Sequence, residues 1–583
     1  MAAILLILTI VLPWMGALLV WRIGDDHARL QHNLAVVFSV FAGVAALALI
    51  PFASAQPVVT LPVGGVFGDF VFQADGLGVF LAAVATVIGS LAVIFSLDYM
   101  KGEVQLGRYY GFVLFFIGAM VGLVLSRNLL MMFVFWEITA LCSYALISFH
   151  NDDPKAVAGG MKALIITQLG GIGLLLGALI TYSYLGTFDI SVLLQKAGSL
   201  PPTILAFLAF GCLVAAAAKS AQFPFQTWLP DAMEAPTPIS ALIHAATMVN
   251  AGVYLLARFY PAFANVPGWR TAVVIVGMLS ALLAALMALV ATDLKRVLAY
   301  STVSQLGFMV YAIGSGGIFA AQFHLLSHSV FKALLFLGAG AVIHSVGTRD
   351  MLKMGGLGKK MPLVRTVFVI GALALAGLPI LNGFWSKELV LEAGLTGGPT
   401  WAYGVMLFVA GLTALYTFRM VWLVFYGEPR SDLQGHPVGN AMKVSLVVLA
   451  GGTLTTWLLA GPFSGLLART LPAHALKATT LGAMMLEVLE APATWITLVV
   501  IGLGLAAWRW REKLVWVTTR LRGLTWAAAN NFGFEAINRG IVRGTQDSAE
   551  ALRGTQTGSL NWNIFGIVLG LLVVLAILSI GAR

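Results

Sequence analysis

The sequence predicts an all-α polytopic membrane protein of about sixteen transmembrane helices, with two inverted five-helix repeats, broken helices and a cytoplasmic interfacial helix. Three observations carry that prediction. Hydrophobic residues make up 60% of the 583 and charged residues only 10%, where a soluble domain has about 25% charged. Apolar stretches of about 17–25 residues, long enough to cross a bilayer, recur from one end to the other. The basic excess, 34 Lys+Arg against 24 Asp+Glu for a net charge of +10, falls mostly into alternate connections, as the positive-inside bias requires. A soluble enzyme is excluded. So is a nucleic-acid-binding module, which needs a clustered basic face or a recognition fold.

Residues 1–108 carry the first three spans, at 1–21, 34–52 and 76–97. The opening MAAILLILTIVLPWMGALLVWR has no basic leader and no clear small-residue cleavage site, so it reads as a retained span rather than a signal peptide. Residues 109–260 hold five spans, at 109–126, 128–149, 161–185, 202–222 and 239–260, and residues 261–426 hold five more, at 271–291, 297–316, 318–345, 364–385 and 401–426. Helices at 442–462 and 493–510 occupy 427–510, and a last span at 562–580 lies within 562–583. An even count puts both termini on one side, and the distribution of Lys and Arg makes that side extracytoplasmic. In 511–561, Arg511, Lys513, Arg520, Arg522, Arg539, Arg543 and Arg553 interleave with Trp516 and Trp526, as in an amphipathic helix lying along the cytoplasmic interface. Gly533, Gly540, Gly544 and Gly554 should interrupt it.

Charges inside the spans are few, and each costs roughly 2.5–3.5 kcal/mol to insert at a helix centre. Glu137 lies in the middle of NLLMMFVFWEITALCSYALISF; a carboxylate there is neutral or paired. Lys219 ends an apolar run that Pro224, Pro230, Pro236 and Pro238 then break, and freed carbonyls at such a break are tolerated only against a cavity inside the protein. A lysine there either exchanges a proton near neutral pH as a carboxylate partner changes distance or snorkels to the interface. A second broken segment, VRTVFVIGALALAGLPILNGFWSKELVLEA, is interrupted by Pro379 and Gly383 and closed by Lys387 and Glu388. Five spans separate the two breaks. Because five is odd, the repeated units must be inverted.

Of nine histidines, His244, His324, His328 and His344 fall in spans. FHLLSHSVFKALLF sets His324, His328 and Lys332 at i, i+4 and i+8, on one helix face, where imidazole suits proton relay near neutral pH. His344 is read as a hydrogen-bonded structural residue. HxxxH would also fit a metal pair, but neither the glutamate of HExxH nor a third ligand accompanies it. TDLKRVLAYSTVSQLGFMVY carries Lys295 at a cytoplasmic mouth, then Ser301, Thr302, Ser304 and Gln305; these hold water or bond neighbouring helices, the two readings standing level. Cys142 and Cys212 lie in apolar runs. No disulfide framework, Fe–S cysteine set, haem motif or dinucleotide fingerprint is present, so no cofactor or metal is expected in this chain.

FWEITALCSY, WLPDAMEAPTPISALIHAATM, TDLKRVLAYSTVSQLG, FHLLSHSVFKALLFLGAG and LPILNGFWSKE, in that order over about 100–395, together resemble the antiporter-like subunits shared by respiratory complex I and Mrp-type cation/proton antiporters. The large type, complex I subunit 5 (chain L) or the large subunit of Mrp antiporters, is the nearest. The resemblance implies that 109–260 is a proton half-channel and 261–426 its inverted counterpart. It implies that Glu137 and Lys219 pair, that His244, His324, His328 and Lys332 continue a central axis, and that Lys387 with Glu388 lies near the periplasmic exit. Expected partners are other membrane subunits, the lipid bilayer and protons. The expected function is proton translocation driven by redox chemistry in partner subunits of a complex I-like (NADH:quinone oxidoreductase) assembly, in the cell's inner (cytoplasmic) membrane. The alternative is Na⁺/H⁺ exchange by an Mrp-type antiporter, and a nonconducting scaffold is the third reading.

Overall fold

The computed structural model describes residues 1–64, 68–430 and 437–555, with 564, 566 and 568–573. Two units are described separately, Met1–Thr525 and Trp526–Arg583.

In the first unit α1 (Ala2–Ile23) and α2 (Ala28–Leu49) pack with each other and with α4 (Leu106–Leu125). Between α2 and α3 (Gly76–Tyr99) the chain makes an antiparallel hairpin, β1 (Val58–Leu61) with β2 (Phe70–Gln73). The all-α expectation omitted this hairpin. Its strands are short runs of β-branched and aromatic residues, and the pairing satisfies backbone groups that a bare connection would leave open. Then follow α5 (Leu129–Ile147), α6 (Pro154–Leu185), the short α7 (Ile190–Lys196), α8 (Pro202–Lys219), the single turn α9 (Trp228–Asp231), α10 (Thr237–Ala241) and α11 (Met248–Phe263). The second half runs through α12 (Trp269–Val290), α13 (Leu294–Gly314), α14 (Ile318–Val346), α15 (Pro362–Ala376), α16 (Asn382–Gly397) and α17 (Thr400–Val421). The unit ends with α18 (Asn440–Thr455), α19 (Ala460–Thr470), α20 (Leu481–Glu490), α21 (Pro492–Arg509), α22 (Val515–Arg520) and most of α23 (Arg522–Ala529).

Among the described residues, 14 helical segments are long and apolar enough to cross a membrane, so the chain is an all-α multi-pass membrane protein carrying one small hairpin. The difference from sixteen has two sources. The expected span at 364–385 is divided into α15 and α16, the first a shorter apolar helix. The expected span at 562–580 lies mostly outside the described residues, although those described there are helical.

Small residues let the helices approach closely without a hydrophobic drive between them. A Cβ added at Gly277 of α12 would fall 2.4 Å from the Tyr311 nitrogen of α13, and one at Gly307 would fall 2.6 Å from the Gly277 oxygen. Polar caps set the helix starts: the Asn128 side chain accepts from Met131 N at 3.0 Å, and Asp293 accepts from Lys295 N at 2.8 Å and Arg296 N at 3.1 Å.

Both expected breaks exist, with their details changed. After Lys219 the chain turns through Ala221 at φ 50°. Side chains take up the freed backbone there: Trp228 Nε1 donates to Ala218 O at 2.9 Å, Ser220 Oγ to Val249 O at 2.6 Å, and Phe223 N to Ser280 Oγ at 2.8 Å. The entry to α11 is a π-turn, Leu242–Ala246, centred on His244. In the second break Gly377 (φ 86°) and Ile380 (φ 80°) turn the chain between α15 and α16. Gly383 does not interrupt the helix as expected. It lies inside α16, where a Cβ would stand 1.9 Å from the Ala374 oxygen, so its role is close packing across the break.

In the second unit α24 (Phe534–Thr555) runs for 22 residues. The chain breaks at Asn531–Gly533, where Asn531, Phe532 and Gly533 all have positive φ. Gly540, Gly544 and Gly554 leave α24 continuous, contrary to expectation; a helical Gly costs about 1 kcal/mol against Ala, too little to stop a long helix. Phe534, Ile537, Ile541 and Leu552 follow helical spacing along one face.

Candidate functional site

Inside the first unit a row of titratable side chains runs from the first break to the second. Lys219, His244, His324, His328, Lys332 and Lys387 are each 0% exposed, Glu388 is 2% exposed, and Glu137 is partly exposed.

The lysines share one arrangement. Lys219 Nζ, at the end of α8, donates to Trp136 O on α5 at 2.6 Å and lies 5.0 Å from the Trp136 ring centroid. Lys295 Nζ donates to Ala235 O at 2.5 Å, beside the first break. Lys332 Nζ, on α14, donates to Leu298 O at 3.0 Å and to Ser301 Oγ on α13. Lys387 Nζ, on α16, donates to Leu375 O at 2.7 Å, a carbonyl released where α15 stops. Four buried ammonium groups thus rest on main-chain carbonyls. A carbonyl accepts an N–H from an ammonium or from a neutral amine, so it holds the side chain in either state; a bonded carboxylate would fix the charge.

Glu137 and Lys219 stand within electrostatic reach of each other, but the lysine proton goes to Trp136 O. Glu137 faces α6, where its Oε1 would be 2.4 Å from a Cβ at Gly171 and Gln168 neighbours its carboxyl. A side chain at 171 would push that carboxylate aside. Glu388 points away from Lys387, as adjacent helical residues must, and lies beside Thr494 and Thr497 of α21.

The histidines differ in their surroundings. His244 sits between Trp228 and Phe336, with centroids 6.0 and 6.3 Å away, and neither ring nitrogen has a protein partner. The same holds for the nitrogens of His328, beside the Ala245 carbonyl of the π-turn. Gln226, Ser240, Gln322 and Ser327 also bury polar atoms unpartnered by protein. An unsatisfied buried polar group costs about 1–3 kcal/mol, a cost that a bridging water removes where a polar site has room for one. His324, by contrast, is bonded at both nitrogens, to Gln305 Oε1 at 3.0 Å and Ser386 Oγ at 2.9 Å.

The hydroxyls of α13 divide. Ser301 bonds Lys332, Thr302 donates back to Leu298 O at 2.9 Å, and Ser304 donates to Ala281 O of α12 at 3.1 Å, a helix–helix bond. His344 packs its ring, tilted by 34°, against Tyr99 at 5.3 Å, away from the row. Among the described residues no group of three or more His, Cys, Asp or Glu is placed to hold a metal ion.

Sequence reasoning missed two features. Asp75 and Arg258, 6% and 8% exposed, form a two-point ion pair at the ends of α3 and α11, with Arg258 Nη2 3.0 Å from Asp75 Oδ1; an arginine so near the expected end of a span looked like a boundary charge. At the first break, Asp231 bonds Lys162 at 2.7 Å and Arg296 at 3.0 Å, while Arg349 joins Glu234 at 2.9 Å and Asp293 at 3.1 Å. The signal was present in PDAMEAP, where two acids follow a broken helix.

Residues 126–413 match the family described as NADH:quinone oxidoreductase/Mrp antiporter, TM, and residues 61–110 match NADH-Ubiquinone oxidoreductase (complex I), chain 5 N-terminus. The chain is 36% identical to NADH-quinone oxidoreductase subunit L of Escherichia coli, over 99% of both chains. It is 43% identical to NAD(P)H-quinone oxidoreductase chain 5 of Picosynechococcus sp., over 63% of this chain and 58% of that one, so it spans little more than half of that relative's length. A chain in the structure of the Mrp complex from Dietzia sp. superposes with a TM-score of 0.84 at 29% identity, covering 100% of this chain and 63% of that one. With its breaks, its buried lysines and its near full-length likeness to subunit L, the chain belongs to the NADH:quinone oxidoreductase/Mrp antiporter family of antiporter-like membrane proteins.

Proposed function

We propose that protons cross this chain along the buried row of Glu137, Lys219, His244, His328, His324, Lys332, Lys387 and Glu388, with Lys295, Ser301, Thr302 and Ser304 at a hydrated entry. The chain is a proton-translocating membrane subunit of a complex I-like assembly. The observation that carries the pathway is the seating of four buried lysines on carbonyl oxygens, which lets each amine gain or lose a proton in place. Lys219 is the responsive member. With the Glu137 carboxylate near, its ammonium is stabilised; as the carboxylate withdraws, burial favours the neutral amine and the proton moves on. Residues 109–260 and 261–426 act as two inverted half-channels meeting at His244 and the α14 stripe.

Redox groups belong to partner subunits in the same inner membrane, and both termini of this chain face the extracytoplasmic side. Glu137→Gln and Lys219→Ala should each abolish proton translocation by the reconstituted complex while leaving this chain in its place within it. Wild-type pumping by Lys219→Ala would refute the pathway. The whole-chain likeness to the Mrp structure favours a second reading, Na⁺/H⁺ exchange driven by ion gradients; the near-complete coverage of subunit L in both directions favours the first.

A further inference from the structure

α1 and α4 run antiparallel and meet in the same way twice. Trp14 lies against Gly118, where an added Cβ would strike its Cδ1, and Trp21 lies against Gly111, where an added Cβ would stand 3.8 Å from the Trp21 Cβ. On each helix the second contact follows the first at an interval of roughly 10 Å, two turns away on the same face. At Gly118 the indole is laid into the notch that the glycine leaves: Trp14 Nε1 donates to Phe115 O at 3.0 Å, and the Trp14 and Phe115 ring centroids are 5.0 Å apart. At Gly111 the notch stays open. Trp21 is 72% exposed, and an apolar cleft of about 430 Å³ remains between Leu18, Trp21, Arg108, Phe112 and Phe115.

A single indole fills the equivalent space at Gly118, so the cleft is about one ring thick, and Trp14 shuts its far end. A helix, about 10 Å across, cannot enter it. An extended hydrocarbon chain can, and in a bilayer such a chain carries a headgroup. The mouth of the cleft lies at the end of α1 and the start of α4, where Trp21 has the place of an interfacial anchor. Arg108 stands in that mouth. Its Nη1 donates to Gln105 Oε1 at 3.0 Å and its Nη2 to Ser148 O at 3.2 Å, with Cζ 6.0 Å from the Phe149 ring centroid. These partners are uncharged, and a guanidinium has more N–H donors than two bonds use. Asp25 is turned to the first turn of α4 instead, accepting from Gly107 N at 3.0 Å and from Gln31 Nε2 at 3.4 Å.

We propose that this cleft binds an anionic phospholipid, with one acyl chain lying at Gly111 as Trp14 lies at Gly118 and the phosphate held by Arg108. Arginine suits that role because its planar fork meets phosphate oxygens with paired N–H groups. A zwitterionic headgroup brings its own cation beside the phosphate, so the site prefers a net anion.

The test uses the whole native complex in phosphatidylcholine vesicles doped with phosphatidylglycerol or phosphatidylcholine that carries a diazirine in its acyl chain. After irradiation, adducts are mapped by peptide mass spectrometry. The phosphatidylglycerol probe should label 14–21 and 107–115 at least about tenfold more than the phosphatidylcholine probe, a ratio within reach of one hydrogen bond to a charged group. Arg108→Gln, which keeps a donor for Ser148 O, should bring the two probes to equal yield. Gly111→Leu should fill the notch and remove both adducts; a Cβ there meets the Ala17 oxygen only at 3.7 Å, so the helices can keep their places. Equal labelling by the two probes in the wild type would overturn the selection by charge. Labelling unchanged in Gly111→Leu would trace the adducts to bulk lipid and overturn the site, and adducts on a partner subunit with none on these residues would make the cleft a subunit contact and overturn it too. Should Gly111→Leu be lost from the complex, the wild-type ratio and its collapse in Arg108→Gln decide.

Discussion

A buried lysine on a carbonyl keeps its partner when it loses its proton; a buried arginine on a carboxylate has no such freedom. Asp75 and Arg258 are of the second kind. Arg258 also donates to Tyr254 Oη at 3.2 Å, so its guanidinium is held at several points and cannot relay. Its role is to fix the end of α11 to the start of α3. Breaking such a pair from one side leaves an uncompensated buried charge and costs about 3–5 kcal/mol, whereas replacing both partners by apolar groups is often neutral. Asp75→Ala should therefore lower the unfolding midpoint of the detergent-solubilised complex sharply, and Asp75→Leu combined with Arg258→Met should recover most of the loss. An additive double-mutant cycle would show that the pair is not coupled. The same contrast explains what could be read in advance. Glu137, Lys219 and Lys332 were legible because an isolated charge in an apolar run has no bland neighbourhood. Ser386 was not, because an uncharged hydroxyl in FWSKE costs little and carries no mark until His324 is seen 2.9 Å away.

At the level of elements, proline and glycine marked the breaks but not what each residue does there. Pro379 lies in the turn, whereas Gly383 packs inside α16; both readings fit a glycine near a proline, and only the neighbouring backbone decides. The π-turn around His244 left no sequence signal at all, since its residues are ordinary helix formers. The turn Pro472–His474, after α19 and outside the spans, allows a pH test. His474 Nε2 donates to Ala257 O of α11 at 2.8 Å, which places a proton on Nε2 whether the ring is neutral or charged. Burial pushes its pKa down to about 4; the Ala257 bond opposes the fall, the Arg258 charge adds to it, and Asp75 opposes it. The undocked ring binds protons below about 6.5, while the docked ring resists them until about 4. Docking is thus at full strength above about 6.5 and weakens as pH falls toward 4. Hydrogen exchange across 471–475, corrected for its intrinsic pH dependence, should rise over that window. His474→Gln, which keeps a donor and cannot titrate, should remove the rise; a pH-independent wild type would refute this.

For the whole molecule the question is which cation the buried row admits. Sodium is a hard cation that wants several oxygen ligands, carboxylates, carbonyls and waters together. The row offers nitrogen. Lysine and histidine repel a metal cation when protonated, and when neutral they present lone pairs on nitrogen; the carbonyls beside Lys219, Lys295, Lys332 and Lys387 are already spent on those side chains. Among the described residues no three acidic, histidine or cysteine side chains converge. Glu137 and Glu388 lie near opposite ends of the row, on α5 and α16, so they cannot form one coordination shell together. Nitrogen bases, poor ligands for sodium, suit a proton, which needs only a chain of groups able to bind it one at a time. The native complex in proteoliposomes should therefore acidify or alkalinise the lumen at an unchanged rate in sodium-free medium, with no accompanying uptake of radioactive sodium, and Lys219→Ala should stop the proton flux. Sodium uptake that matched proton movement ion for ion, and failed together with it in Lys219→Ala, would place the exchange in this chain and make it an antiporter.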